Sequence, residues 1–237
     1  MKSDGNYKTS QRIIVVPGEL IAEGKLKIGS GAYSVDNRIY SEYLGIKSVK
    51  DNVVSVIPLN GKYNPKVGEM VIGYVENIAQ SNWMVNINSI YPAMMLASDV
   101  PWRVGSNKLQ NYIDIGEAII AYVSEIDEVK HIRITMKSRE FGRKIEDGIT
   151  MTIPASKVPR VIGKSGSMIS MIKDLTGCRI IVGMNGIIWL NGEKDNLAMA
   201  VNAVKKIDKN AQISGLTDNI KNMIMEWKNG ISGDVDE

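Results

Sequence analysis

The segment from Val161 to Ile172 reads V-I-G-K-S-G-S-M-I-S-M-I, and it constrains the fold more than any other part of the chain. Two glycines separated by two residues, Gly163 and Gly166, let the backbone turn sharply and approach a sugar-phosphate strand without hindrance from a side chain. Amides at the start of the following helix then point toward that strand. A bare G-x-x-G also occurs in loops that merely join two helices. The flanking residues must therefore decide between these interpretations.

The flanking residues predict an alternating series of strands and helices. Apolar spacing, proline, glycine and β-branched runs place a strand at 150–153, helices at 157–162 and 168–175, strands at 179–182 and 187–191, and a helix at 197–207. Asn185-Gly186 lies between two β-branched runs and predicts a hairpin. With the glycine loop between its first two helices, this β-α-α-β-β-α order resembles the type I KH domain over residues 149–210.

The KH resemblance implies that this region holds single-stranded nucleic acid. Its candidate RNA-binding residues are those of the loop and two nearby basic side chains: Gly163, Lys164, Ser165, Gly166, Arg160 and Lys173. The charge distribution agrees with a polyanion ligand, because residues 149–210 hold nine basic and four acidic groups. The formal net charge of the whole chain, +3, is too mild to require such a ligand by itself.

Composition argues against catalysis, metal binding and membrane insertion. The chain has one histidine and one cysteine, so a zinc cluster is not expected, and its carboxylates are scattered along the sequence. The single cysteine, Cys178, indicates a reducing compartment and is expected to be buried. No apolar run is long enough to span a bilayer. We therefore expect a cytoplasmic protein without cofactor or metal that is not an enzyme.

The first 65 residues read as a small β module. Short runs of β-formers at 13–18, 32–35, 38–41 and 52–58 are interrupted by Gly, Pro and Asn. Asp36-Asn37 is the expected turn of one hairpin. Gly29-Ser30-Gly31 is predicted to be a turn rather than a nucleotide-binding loop, because no helix follows it.

Residues 66–148 predict a second β domain, a five-stranded barrel of the OB type. Strands are expected at 71–78, 83–88, 118–126 and 131–137, and V-G-x-x-V-x-G-x-V near the start resembles the barrel named after ribosomal protein S-one. Where that family places a phenylalanine and a histidine for base stacking, this chain has Met84 and Leu96. The candidate RNA-binding residues of the barrel are Tyr74, Trp83, Trp102, Arg103, His131 and Arg133.

The three regions together are similar to the RNA-binding cap subunit of the archaeal exosome, the ribosomal-RNA-processing protein 4 family. The similarity is carried by V-P-G-E-L at 16–20, I-P-L-N-G-K-Y at 57–63, N-W-M-V-N-I-N-S at 82–89 and G-M-N-G at 183–186. The resulting organisation is a multidomain α+β chain. Its parts are an N-terminal β module (1–65), an OB-type barrel (66–148), a KH domain (149–210), and a helix with an acidic tail (211–237).

The family resemblance implies a non-catalytic subunit that works in an assembly. Three copies would cap a hexameric ring of RNase PH-like subunits, capture single-stranded RNA and feed it to 3′-5′ degrading sites on the ring. The N-terminal module would dock to the ring through Val15, Val16, Pro17, Gly18 and Leu20. Two alternatives stay open: a free-standing OB-KH factor in transcription or translation, and an assembly clamp whose RNA contacts are incidental.

Overall fold

The computed structural model describes residues 13–24, 26–59, 61–105, 109–137, 141–211 and 215–233. The chain divides into two compact units, Met1–Gly61 and Lys62–Glu237. The first unit is a small β module, and the second combines a closed five-stranded barrel with a helix-backed KH sheet. The predicted fold class, multidomain α+β, is confirmed.

The N-terminal module consists of two small sheets. Its strands are β1 (Ile14–Val15), β2 (Leu20–Glu23), β3 (Lys27–Ile28), β4 (Ala32–Val35), β5 (Arg38–Ser41), β6 (Gly45–Lys50) and β7 (Val53–Pro58). One sheet has the order β1-β6-β7-β3 and the other β2-β5-β4. The predicted Asp36-Asn37 hairpin is confirmed, with both residues at positive φ (49° and 64°), as a type I′ turn requires. The Gly29–Gly31 stretch is the predicted turn.

The barrel is built from five strands and carries one extra strand. Its strands are β8 (Met70–Ile78), β9 (Asn82–Asn86), β10 (Ala93–Leu96), β11 (Ala118–Ile126), β12 (Ile132–Thr135) and β13 (Arg143–Ile145). The order β12-β10-β9-β8-β11 closes through pairing of β11 with β12, and β13 adds to β11. Tyr63 is buried in the barrel core and bridges to Ser89. The barrel therefore starts before Lys66, the predicted boundary.

The KH region follows in the predicted order. Its elements are β14 (Ile149–Thr152), α1 (Val158–Ile162), α2 (Ser167–Thr176), β15 (Arg179–Val182), β16 (Ile187–Asn191), α3 (Lys194–Lys209) and a final helix α4 (Leu216–Gly233). The sheet order is β14-β16-β15. Helix α4 lies within the segment 211–237 where a helix is predicted, and it packs on α2 and α3 through Leu216, Ile220 and Ile224. No helix in the described part of the chain is long and apolar enough to cross a membrane.

Both faces of the KH sheet are buried, which joins the KH region to the barrel. Ile188 and Leu190 of β16 face the helices, whereas Ile187 and Trp189 pack against Ile72 of β8 and its barrel neighbours. Side chains on alternate positions of a strand point to opposite faces. A strand that is apolar at four successive positions, as at 187–190, is typical of a sheet covered on both sides.

Candidate nucleic-acid interface

The G-x-x-G turn separates α1 from α2, and its two glycines serve different purposes. Gly163 has φ 77° and ψ 176°, and a Cβ there would lie 2.7 Å from the backbone nitrogen of Met168. Close packing of α2 over the turn therefore requires glycine. Gly166 has φ 81°, and a Cβ there would meet no atom within 4 Å. The outer side of the turn is open, so a ligand backbone can approach it.

The residues between the glycines are presented to solvent. Lys164 and Ser165 are exposed, and Ser165 adopts the left-handed conformation (φ 52°, ψ 31°). No side chain caps the first turn of α2, whose Ser167 N–H donates to the carbonyl of Lys164, while the N–H of Gly166 donates to the carbonyl of Gly163. The structure thus forms the turn that the sequence predicts, with an exposed cationic side chain between its two glycines.

The two other predicted basic residues lie on the helices that flank the turn. Arg160 is half-buried on α1, three residues before Gly163. Lys173 is half-buried on α2, six residues after its first residue, which corresponds to about 9 Å along the helix. Lys157, just before α1, is instead engaged with Asp208 through a 2.6 Å ion pair. Lys164 is therefore the basic group that the fold presents most openly at the turn.

The outward face of the barrel has no aromatic ring along β9, β10 and β12. Met84 of β9 pairs with Met94 of β10, Leu96 follows on the same face, and Arg133 of β12 lies opposite Met94. All four residues are half-buried. Bases can contact such a surface through apolar groups, but they cannot stack on a ring there.

Arg133 is fixed on this face by an acidic neighbour. Its Nε donates to Oδ2 of Asp99 at 3.0 Å and its Nη2 donates to Oδ1 at 3.2 Å, which is a bidentate pair. Glu125 lies 4.0 Å from the same guanidinium. The predicted RNA contact of Arg133 can use only the N–H groups that Asp99 leaves free.

His131 is exposed and pairs with Asp127 in the turn after β11. The ring Nδ1 lies 2.7 Å from Oδ2 of Asp127, and the backbone N–H of His131 donates to Oδ1. Slight burial works to raise the pKa of Asp127, but these bonds outweigh it and leave the pKa below its usual value. The imidazole is thereby held at the edge of the barrel with its other ring nitrogen toward solvent.

Among the predicted aromatic contacts, that of Trp83 is wrong, whereas that of Tyr74 stays a prediction. Trp83 is fully buried in the barrel core, where its Nε1 donates to the carbonyl of Ile113 at 3.0 Å. Tyr74 packs against the KH sheet, and its hydroxyl bonds to that of Thr150. The ring of Trp83 cannot stack on a base, because it is fully buried, whereas that of Tyr74 is half-buried. Trp102 is half-buried against the barrel core, while Arg103 is exposed.

Three family models match consecutive parts of the chain. They are described as the exosome RNA binding protein RRP4 N-terminal domain (residues 12–60), the RRP4 S1 domain (62–129) and the KH domain (148–206). "Exosome complex component Rrp4" of Picrophilus torridus is 41% identical, with 94% of this chain and 96% of the relative covered. The chain belongs to the Rrp4 family.

Other Rrp4 proteins give the same result. The protein of Thermoplasma acidophilum is 42% identical, with 91% of each chain covered, and that of Thermococcus kodakarensis is 43% identical, with 90% of this chain and 85% of the relative covered. A crystal structure whose protein is named for RNA binding in the exosome complex matches with a TM-score of 0.65 and 35% identity. It covers 71% of this chain and 98% of the other.

In this Rrp4-family chain, the predicted docking segment is only partly at the surface. Val15 is buried in the core of the N-terminal module, so its assignment as a docking residue is wrong. Val16, Pro17, Gly18 and Leu20 are exposed, and so is Ile14, on the other side of Val15. Strand β1 lies at the edge of its sheet, beside β6 alone. The apolar side chains that this segment exposes around Val15 are therefore Ile14, Val16 and Leu20.

Asn185 is a residue whose structural role the sequence interpretation missed. The G-M-N-G segment does form a turn, but Asn185 is fully buried and its side chain reaches the barrel. It accepts from the N–H of Ile72 at 3.3 Å and donates to the carbonyls of Ile72 and Ile87 at 2.6 and 2.9 Å. The unbroken apolar run of β16 was the available signal, because it indicates that something covers the second face of the sheet.

A metal site would need several ligating side chains of the described residues to lie together. Among the described residues, no group of three or more His, Cys, Asp or Glu side chains could hold a metal ion. The one cysteine, Cys178, is buried. What the described surface offers is an open turn with basic side chains around it, which is suited to binding an anionic strand.

Proposed function

We propose that this chain captures single-stranded RNA for the exosome and caps a hexameric ring of RNase PH-like subunits in three copies, passing RNA to 3′-5′ degrading sites on the ring. Membership of the Rrp4 family supports the exosome part of this proposal. The observation that carries RNA capture is the G-x-x-G turn, which is open at Gly166 and exposes Lys164 at the start of α2.

The barrel face supports a weak grip rather than a tight one. Base stacking on an aromatic ring contributes about 1–3 kcal/mol per base, and the outward face along β9, β10 and β12 carries Met84, Met94 and Leu96 instead. Three weak sites around one ring raise avidity by about 10²–10⁴ without holding any single strand tightly. Such sites suit a strand that must keep moving toward a degrading site.

RNA capture is tested by reversing charge in the turn. Lys164→Asp with Ser165→Asp changes the charge by three units at the candidate site, and Asp tolerates the left-handed conformation of Ser165 well. The control, Lys205→Asp with Asn202→Asp, makes the same change at exposed positions of α3. We expect fluorescence anisotropy to show weaker oligo(A) binding and a shallower salt dependence for the turn variant only. Equal effects of the two variants would contradict the proposal.

Docking is tested on the edge of the N-terminal module. Val16 and Val49 are both 53% exposed and belong to the same module, so Val16→Glu and Val49→Glu form a matched pair. If Ile14, Val16 and Leu20 lie against the ring, Val16→Glu buries an unpaired charge and should weaken co-purification with the ring, whereas Val49→Glu should not. Loss of assembly with both variants, or with neither, would place docking elsewhere.

The absence of catalysis is also part of the proposal. The purified chain should not degrade RNA in the presence of phosphate and Mg²⁺ or Mn²⁺, because the described residues offer no metal cluster. Degradation should require addition of the ring. Turnover that persists after repurification and disappears with a point mutation in this chain would contradict the assignment.

A further inference from the structure

Two arginines from different domains contact the same indole where the barrel meets the KH sheet. The guanidinium carbon of Arg143, on β13 of the barrel, lies 5.0 Å from the ring centroid of Trp189. The guanidinium carbon of Arg179, on β15 of the KH sheet, lies 5.8 Å from it. Both distances are within the range of a cation–π contact. Both guanidinium groups therefore lie against the same indole.

The indole itself is held firmly. Trp189 is 4% exposed, its Nε1 donates to the carbonyl of Asp147 at 2.6 Å, and its ring packs with Ile72 and Ile120 of the barrel. A fixed ring restricts the guanidinium groups that lie on it. Stacking uses the flat face of a guanidinium and leaves its in-plane N–H donors free for an anion.

Neither arginine is neutralised by an acid in the described part of the chain. Arg179 donates to the side-chain carbonyl of Asn191 at 3.1 Å, and no carboxylate of the described residues lies within ion-pair distance of Arg179 or Arg143. By contrast, the next residue, Lys144, pairs with Glu117 at 2.7 Å. Both arginines are exposed. Within the described residues the charge of both arginines is therefore uncompensated, and an anionic ligand would compensate it.

The position of the pair relates it to the proposed RNA site. Strand β15 is the edge of the KH sheet, and α2, which begins at the G-x-x-G turn, packs on one of its faces. Arg179 shares the opposite face with Ile181, whose side chain packs toward the barrel. The turn lies at the start of α2 and Arg179 lies just after its end, so about 15 Å of helix separates them. An RNA strand that runs from the turn along α2 and across the edge of β15 would reach Arg179 and then Arg143.

We propose that Arg143 and Arg179, positioned by Trp189, form a second binding site for the RNA phosphodiester backbone at the barrel–KH junction. This site rests on the proposed function, because its ligand is the same RNA strand. It carries no base-reading group, so it should bind without sequence preference. Its role is to hold the part of the strand that extends beyond the G-x-x-G turn.

The test compares variants of the full chain by fluorescence anisotropy with a labelled oligo(A) long enough to extend beyond the turn. Arg143→Gln with Arg179→Gln removes both charges, and the control Lys205→Gln with Lys209→Gln removes two exposed charges of α3. We expect the arginine variant to lower the slope of log K against log salt by about 1.4, from two contacts at about 0.7 each. Binding should weaken about tenfold at about 0.1 M salt.

Two further measurements distinguish an RNA contact of the arginines from a purely structural role. Arg143→Lys with Arg179→Lys keeps both charges and should retain most of the salt slope, although stacking on the indole is weaker. Short oligo(A) that reaches only the turn should bind the wild type and the Gln variant equally. If the Gln variant lowers the unfolding temperature but leaves the salt slope unchanged, the arginines only stabilise the junction and the proposal is overturned.

The variant Lys164→Asp with Ser165→Asp shows whether a failure concerns the second site or RNA capture at the turn. Loss of binding by Lys164→Asp with Ser165→Asp, together with unchanged binding by the arginine variant, would overturn the second site and leave RNA capture in place. No binding of oligo(A) by the wild type would contradict both. A slope that falls equally in the arginine variant and the α3 control would show a general charge effect and would also overturn the second site.

Discussion

Replacing Asn185 should weaken the connection between the barrel and the KH sheet. Strand β8 pairs with β9 only from Tyr74 onward, so on that side the backbone of Ile72 has no strand partner. The side chain of Asn185 supplies the missing bonds, two to Ile72 and one to Ile87. Both isoleucines are 0% exposed, so water cannot replace the lost bonds without local opening.

The expected loss in the free energy of unfolding follows from the number of hydrogen bonds that Asn185 makes. Asn185→Ala removes three buried hydrogen bonds, each contributing about 1 kcal/mol and more where a group stays unsatisfied, so we expect a loss of about 3–5 kcal/mol. A loss of about 3 kcal/mol corresponds to about 6–12 °C in the unfolding temperature of a unit of this size. Asn185→Asp should cost at least as much, because it places a carboxylate against two carbonyl oxygens.

The assay is thermal and urea unfolding of the full chain, followed by circular dichroism. Asn202→Ala is the control, because Asn202 is exposed on α3 and its replacement should change stability by less than about 0.5 kcal/mol. If Asn185→Ala shifts unfolding no more than Asn202→Ala does, the three bonds do not hold the two domains together and the reasoning is refuted.

Three further predictions concern the barrel. Trp83→Ala should cost about 3–5 kcal/mol in urea unfolding, as expected for a buried core residue; a loss under about 1 kcal/mol would contradict its burial. Tyr63→Phe should cost about 1 kcal/mol, because Tyr63 is buried and its hydroxyl donates to Glu69. Partial burial works to raise the pKa of Glu117, but the ammonium of Lys144, 2.7 Å away, and the N–H of Asp114 outweigh it and leave the pKa below 4.5. The stability from this pair is therefore present above about pH 4.5 and lost as the pH falls through the lower, folded-state pKa. Unfolding temperatures measured from neutral to acid pH should fall less for Glu117→Gln, and parallel curves would contradict this.

The KH fold could be predicted from sequence because its signals are local and strong. Helix α2 has apolar residues at helical spacing and ends at Gly177, and the two glycines of the turn fix the boundary with α1. Strand β10 (Ala93–Leu96) was not predicted, because alanine, methionine and leucine are not β-formers and its neighbours in the barrel determine its conformation. Strand β13 (Arg143–Ile145) is too short and charged to give a signal.

The sequence predicts the exposed residues of the G-x-x-G turn well, and it predicts those of the barrel less well. In N-W-M-V-N-I-N, the apolar residues Trp83, Val85 and Ile87 alternate with Asn82, Met84 and Asn86, and this alternation does indicate that Trp83 faces inward. The resemblance to the S-one barrel instead favours an aromatic RNA contact on this strand, and the structure does not place Trp83 on that face. Val15 lies in an unbroken apolar run, so alternation could not show which side is buried.

The cation pair at Trp189 could not be found from sequence at all. Arg143 and Arg179 are separated by the turn, both helices that flank it and strand β14, and neither lies in a motif. Only the packing of the barrel against the KH sheet brings them to the same ring. Sites that form between domains depend on contacts distant in the chain, and local patterns carry no information about them.

Native mass spectrometry of this chain mixed with a purified ring of RNase PH-like subunits and single-stranded RNA tests the central claim most directly. We predict one dominant species with the mass of the ring, three copies of this chain and one RNA strand. The RNA-bound fraction should fall with Lys164→Asp and Ser165→Asp while the protein assembly stays intact. A spectrum that shows only free chain and bare ring, with RNA on the free chain, would contradict the capping role and favour a free-standing RNA-binding factor.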